Sequence, residues 1–168
     1  ELHGLVNNAG ISPKGPGGSR LDSMTTDIDI WQSMYNTNFY APLLLTRGFA
    51  GELSQGRGSV VNLTSIAGSR VHKFAGSAYA TSKAALAALT REMAFDLAPL
   101  GVRVNAIAPG EIDTAILSPG TPEIVERNIP MRRLGTIDEV ADLIWFLCST
   151  QATYITGTEI PINGGQHV

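Results

Sequence analysis

Cysteine is nearly absent: Cys148 stands alone among 168 residues, so no internal disulfide can hold the fold together. It follows the apolar run Leu143-Ile144-Trp145-Phe146-Leu147 with nothing basic beside it, which reads as core packing rather than a reactive thiol. Histidine is also scarce. His3, His72 and His167 are scattered, with no spacing that resembles a metal site, so no metal is expected. There is no run of Lys or Arg long enough to track a phosphate backbone, and 12 basic residues against 15 acidic ones give a net charge of −3, which argues against a nucleic-acid partner. No stretch approaches the roughly 18 apolar residues of a membrane span, and the opening Glu1-Leu2-His3-Gly4 lacks the features of a signal peptide. The expectation is one soluble, cytoplasmic domain over residues 1–168. With 43% apolar and 16% charged residues it has enough material for a core, and a disordered or fibrous chain is excluded.

Apolar and β-branched runs at residues 2–6, 58–63, 102–108 and 159–162 read as strands, the first beginning almost without a lead-in. Three glycines and two prolines make residues 11–24 a loop. A helical pattern follows over residues 26–53, carrying Ile30, Trp31, Met34, Phe39 and Leu43. A second long helix is predicted over residues 77–97, capped by Gly101. The stretch to about Gly135 reads as loop-rich, and Thr136-Ile137-Asp138-Glu139 has the capping-box form that opens a helix ending near Cys148. Strands alternating with helices predict an α/β architecture of parallel βαβ units, with helices on both faces of one sheet.

In such sheets ligands bind beyond the carboxyl ends of the strands. Polar and glycine residues collect there: Asn7-Asn8-Ala9-Gly10 after the first strand, Thr64-Ser65-Ile66-Ala67-Gly68 after the second, Pro109-Gly110 after the third. Each taken alone reads equally well as an ordinary turn. Tyr79 and Lys83, four apart near the start of the second long helix, share one helix face. That spacing is weak by itself, and a solvated face is the bland alternative. The order of a hydroxyl, then Tyr and Lys, then a Pro-Gly break is more specific.

Over essentially its whole length the chain resembles the short-chain dehydrogenase/reductase family. The matching pieces, in family order, are Asn7-Asn8-Ala9-Gly10, Trp31-x6-Asn38, Ser65, Tyr79-x-x-x-Lys83, Pro109-Gly110 with Thr114, and Thr156-Gly157 to Gly164-Gly165. The resemblance implies the C-terminal part of a doubly wound Rossmann-type fold. It also implies an oxidoreductase that moves a hydride between NAD or NADP and the alcohol or carbonyl carbon of a small substrate. In that reading Tyr79 is the general acid/base. A free tyrosine has a pKa near ~10, and the Lys83 ammonium and the oxidised nicotinamide both favour phenolate. Lys83 also holds the nicotinamide ribose, beside Tyr79. Ser65 orients the substrate oxygen. Asn38 holds a water in a proton relay from the lysine, and Pro42 offers a local cause: lacking an N–H, it leaves the Asn38 carbonyl without its helical partner. Asn7, Ala9 and Gly10 line the adenosine side of the cofactor, and Pro109, Gly110, Ile112 and Thr114 hold the carboxamide end. A loop hydroxyl facing water is the alternative for Thr114.

The family's first section, with its Gly-rich turn and the residue that reads the adenosine ribose, has no counterpart here, so nothing chooses between NAD and NADP. An open edge is expected at residues 2–6, and weak cofactor binding by these 168 residues alone. The substrate is open too. The cover from Glu111 to Met131 mixes Ile112, Ile116, Leu117 and Ile124 with Glu111, Asp113, Glu123 and Glu126, arguing mildly against highly anionic substrates. A homo-oligomer, dimer or tetramer, is implied, formed by the two long helices through apolar residues such as Phe39, Leu86, Leu89 and Phe95. The rival reading is a non-catalytic remnant that keeps the assembly surface and lacks the cofactor site. A serine hydrolase centred on Ser65 is disfavoured, since no Gly-x-Ser-x-Gly elbow or histidine partner accompanies it.

Overall fold

The computed structural model describes residues 1–114, 117 and 120–168. Ile116 of the expected cover lies outside them. Four strands, β1 (Gly4–Asn7), β2 (Ser59–Leu63), β3 (Arg103–Pro109) and β4 (Glu159–Ile162), form one parallel sheet in the order β1-β2-β3-β4. The register pairs Gly4 with Ser59, Ser59 with Arg103, and Ala106 with Glu159, so all four strands end on one side. β1 is an outer strand, and among the described residues its one strand neighbour is β2.

The sheet separates two apolar clusters because neighbouring side chains along a strand point to opposite faces. On one face Val60 and Val104 pack with Leu53, Met93 and Ala94; on the other Val61, Leu63 and Ile107 pack with Leu147 and Ala152. The first face is covered by α4 (Ser77–Leu97), the second by α6 (Ile137–Cys148). α6 opens with the predicted capping box: Thr136 accepts from the Glu139 N–H at 3.1 Å, and Glu139 accepts from the Thr136 N–H at 2.8 Å. Arg133 adds a 2.6 Å contact to Glu139 and holds that exposed carboxyl down to about 2.

Two expectations are corrected. The single helix over residues 26–53 is instead α1 (Ile28–Tyr35), a π-helical turn over Asn36–Tyr40, α2 (Ala41–Gly48) and α3 (Ala50–Gly56). Pro42 has no N–H for the Asn38 carbonyl, and the ladder shifts so that the Ala41 N–H reaches Asn36. The stretch read as loop contains α5 (Thr121–Asn128), with Pro122 and Glu123 in its first turn, Arg127 in its last and Ile124 buried. Its eight residues between Gly120 and Pro130 are too few for periodicity to stand out from the flanking breakers.

Candidate active site

Beyond the strand ends lies an open cleft of about 1090 Å³. Of the predicted site residues, Ala9, Gly10, Ser65, Tyr79, Lys83, Pro109, Gly110, Ile112 and Thr114 line it. Asn7 and Asn38 do not. The last residue of β1, Asn7, is buried and turned inward, donating from Nδ2 to Asn62 Oδ1 at 2.8 Å, and Asn62 in turn donates to Thr90 on α4. Alternation along the strand therefore gives the cleft to Asn8, not to Asn7.

Ser65 follows β2 in extended backbone, and its Oγ accepts the Ala67 N–H at 3.2 Å, which shapes a short turn. Gly68 ends that turn against α4. A Cβ there would stand 2.9 Å from the Ala84 nitrogen, so only glycine lets the loop rest on the helix backbone beside Lys83. This contact sets the Ser65 loop against the helix that carries Tyr79 and Lys83, and all three side chains line the cleft. Burial raises the Tyr79 phenol above its ordinary pKa; the nearby Ser65 hydroxyl opposes that rise and the Glu111 charge adds to it.

Lys83 is 4% exposed. Its Nζ donates to the Leu63 carbonyl at 2.6 Å and stands 5.8 Å from the Tyr79 ring centroid, and burial lowers its pKa to about 8. Gly10 lies over the lysine: a Cβ would meet Nζ at 3.3 Å and Asn38 Oδ1 at 3.4 Å.

Asn38 is fully buried in the π-helical turn. Its Oδ1 accepts the Ile11 N–H at 2.9 Å, and its Nδ2 donates to the Ile11 carbonyl at 3.0 Å and Ser82 Oγ at 3.1 Å. The side chain thus ties the loop after β1 to α4, while the wider turn opens the backbone at the place the Asn38–Pro42 spacing singles out.

The cleft also takes Ser12, Lys14, His72, Phe74 and Glu111, none of which the sequence marks as a site residue. His72 Nε2 lies 2.8 Å from Glu111 Oε1, although 39 residues separate them. Cys148 borders the far end, half-buried, with its thiol pushed up by burial. Among the described residues no group of three or more His, Cys, Asp or Glu is placed to hold a metal ion, and no helix is long and apolar enough to cross a membrane.

Residues 1–167 match the family described as enoyl-(acyl carrier protein) reductase. The chain is 63% identical over 167 residues to Protein FixR of Bradyrhizobium diazoefficiens, covering 99% of this chain and 60% of that protein. A short-chain dehydrogenase/reductase family oxidoreductase from Brucella ovis, solved with a partially ordered NAD, is 58% identical with a TM-score of 0.81, over 97% of this chain and 66% of that one. A 3-oxoacyl-[acyl-carrier protein] reductase from Brucella melitensis with bound NAD is 34% identical with a TM-score of 0.91, over 98% and 62%. The chain thus spans about three-fifths of the length of these relatives. With a parallel sheet flanked by helices, and with Ser65, Tyr79 and Lys83 gathered beyond its strand ends, the chain belongs to the short-chain dehydrogenase/reductase family.

Proposed function

We propose that this chain carries the catalytic half of an oxidoreductase that transfers a hydride between NAD or NADP and the alcohol or carbonyl carbon of a small substrate. The observation that carries the reading is the gathering of Ser65, Tyr79 and the buried Lys83 on one cleft beyond the strand ends, with the Lys83 ammonium 5.8 Å from the Tyr79 ring centroid. In reduction the Tyr79 hydroxyl gives its proton to the carbonyl oxygen; in oxidation it takes the proton of the alcohol. Ser65 Oγ holds the same oxygen and fixes the carbon next to Tyr79. Lys83, with a pKa of about 8, is a cation at neutral pH.

The residues present fit a nicotinamide nucleotide. Among the described residues no carboxylate pairs with Lys83, so its remaining N–H groups suit ribose hydroxyls. Asn8, Ala9 and Gly10 line one side of the cleft, and Pro109, Gly110, Ile112 and Thr114 another. When bound, the nicotinamide supplies or accepts the hydride, and its oxidised ring adds a positive charge that favours the Tyr79 phenolate.

Self-association belongs to the same reading, with the surface reassigned. Leu86 is 1% exposed and part of the core, and Phe39 and Leu89 are partly buried, so they leave little apolar surface to offer a partner. Phe95 at 81%, Ile28 at 66% and Leu44 at 62%, with Tyr40, Leu45 and Phe49, are exposed apolar side chains of the helices concerned.

Tyr79→Phe in the full-length gene product is the test: it removes the proton donor and little else, so turnover should fall roughly 10²- to 10⁴-fold. Circular dichroism should stay unchanged. Near-normal activity of the variant on an authentic substrate would exclude Tyr79 as the acid/base.

A further inference from the structure

Besides Ser65, Tyr79 and Lys83, the cleft holds one nearly buried ionisable pair, His72 and Glu111, whose side chains are 14% and 13% exposed. The position of the proton between them follows from the neighbours. The Phe74 N–H donates to His72 Nδ1 at 3.3 Å, so Nδ1 is the acceptor nitrogen and Nε2 carries the hydrogen it gives to Glu111. Both imidazole nitrogens are then engaged, and the ring is fixed in one orientation.

The pair joins two loops that carry different parts of the site. His72 lies in the loop after β2, seven residues beyond Ser65, and Glu111 in the loop after β3, ahead of Ile112 and Thr114. The Glu111 carbonyl accepts from Gly135 at 3.0 Å, and Asp113 donates to the Gly135 carbonyl at 2.9 Å. The loop after β3 is thus held toward α6 by its main chain and toward the Ser65 loop by the Glu111 side chain.

We propose that Glu111 and His72 form a positioning pair for the Tyr79 reaction: they clamp the loop after β3 to the loop carrying Ser65, and they fix a carboxylate within electrostatic reach of the Tyr79 hydroxyl. The proposal rests on the reading of Tyr79 as the acid/base. The charged and titratable groups around the Tyr79 end of the cleft are Lys83 on its own helix, Glu111 from the loop after β3, His72 from the loop after β2 and Lys14 from the loop after β1. Lys14 donates to the Phe74 carbonyl at 2.5 Å; burial lowers its pKa, and the Glu111 charge opposes that fall. Glu111 is the carboxylate of the set, and its charge disfavours phenolate.

The clamp and the charge are separable. Glu111→Gln keeps an oxygen acceptor for the His72 N–H and removes the charge. His72→Ala keeps the carboxylate and removes the link. In the full-length protein, kcat/KM for alcohol oxidation should rise with pH through the Tyr79 pKa. Glu111→Gln should move that limb down by about 0.5 to 1 pH unit, a roughly three- to tenfold gain below it, with KM within about twofold of wild type. His72→Ala should raise the substrate KM about tenfold or more without moving the limb down, and His72→Gln, whose amide can still donate to Glu111, should recover much of that loss. A merely structural pair would not shift the pH profile. If Glu111→Gln leaves the limb in place, or His72→Ala leaves KM unchanged, the positioning role is wrong while the Tyr79 reading stands. If Tyr79→Phe keeps both the activity and the limb, the acid/base reading fails and the positioning role with it.

Discussion

Replacing Lys83 by methionine separates the cost of the site from its use. The ammonium is 4% exposed, and burial takes its pKa from 10.5 to about 8. The sign of the stability effect follows from proton counting. Between pH 8 and 10.5 the unfolded chain still binds a proton that the folded chain has released, so stability rises with pH across that window. At pH 7 the folded protein carries the full penalty of the charged form, roughly 3 kcal/mol at about 1.36 kcal/mol per pH unit of displacement. Raising the pH to 10.5 relieves most of it.

Methionine has nothing to titrate, so Lys83→Met should lose this rise. Its absolute stability at pH 7 combines two opposing changes: removal of the penalty, and loss of the donor to the Leu63 carbonyl, which costs about 1–3 kcal/mol for a buried acceptor left alone. The clean quantity is the difference between the two proteins as a function of pH. Urea unfolding of wild type and Lys83→Met without cofactor, at pH 7 and pH 10, measures it. Wild type should gain on the variant by roughly 2–3 kcal/mol between the two conditions. A pH-independent difference would mean that the lysine is not desolvated in the fold, and its placement beneath Tyr79 would have to be abandoned.

Asn38→Ala removes three hydrogen bonds and leaves the Ile11 N–H and carbonyl facing the hole, so it should cost about 2–4 kcal/mol and lower Tm by roughly 5–15 °C. A shift under about 2 °C in a thermal melt would show that the loop after β1 is held by something else. The double variant Leu44→Glu with Phe95→Glu places charges on the most exposed apolar positions of α2 and α4 and should turn an oligomer into monomers with little change in folding. Light scattering at micromolar concentration decides it: a monomeric wild type, or an unchanged oligomer in the variant, refutes the assigned surface.

The parts of the fold legible in the sequence are those set by local chemistry. The runs around Val60-Val61 and Val104 to Ala108 could only be buried strands, and the alanine-rich helix had a clear glycine stop, so β2, β3 and α4 stand close to where patterning puts them. The helix break at residues 36–40 was half legible: Pro42 marks where the ladder must open, but the π-helical answer depends on Asn38 being held by Ile11 and Ser82. Ser65, Tyr79 and Lys83, which their order along the chain singles out, line one cleft. The exchange of Asn7 for Asn8 was missed because two adjacent asparagines at a strand end look alike until the pleat decides which one faces out. The His72–Glu111 pair was invisible for a different reason. Its partners come from separate loops, and neither sits in a pattern that local physics demands.

The distribution of cost across the molecule supports the assignment of this cleft as the working site. Both apolar clusters lie within the body of the sheet sandwich, where Val60, Val61, Val104 and Ile107 are fully buried and carry no polar atoms beyond the backbone. The costly groups gather at one end. Lys83 sits buried with its ammonium on the Leu63 carbonyl, Tyr79 is pushed away from ionisation, and an imidazole and a carboxylate meet between two loops. Each carries a desolvation cost that an apolar residue at the same place would not. A fold gains nothing structural from burying charges at the carboxyl ends of its strands, where loops already leave the packing thin. Their convergence around one pair of hydroxyls is what a proton-transfer site requires: groups whose surroundings disfavour one charge state in the free protein, so that an incoming charge or oxygen tips the balance.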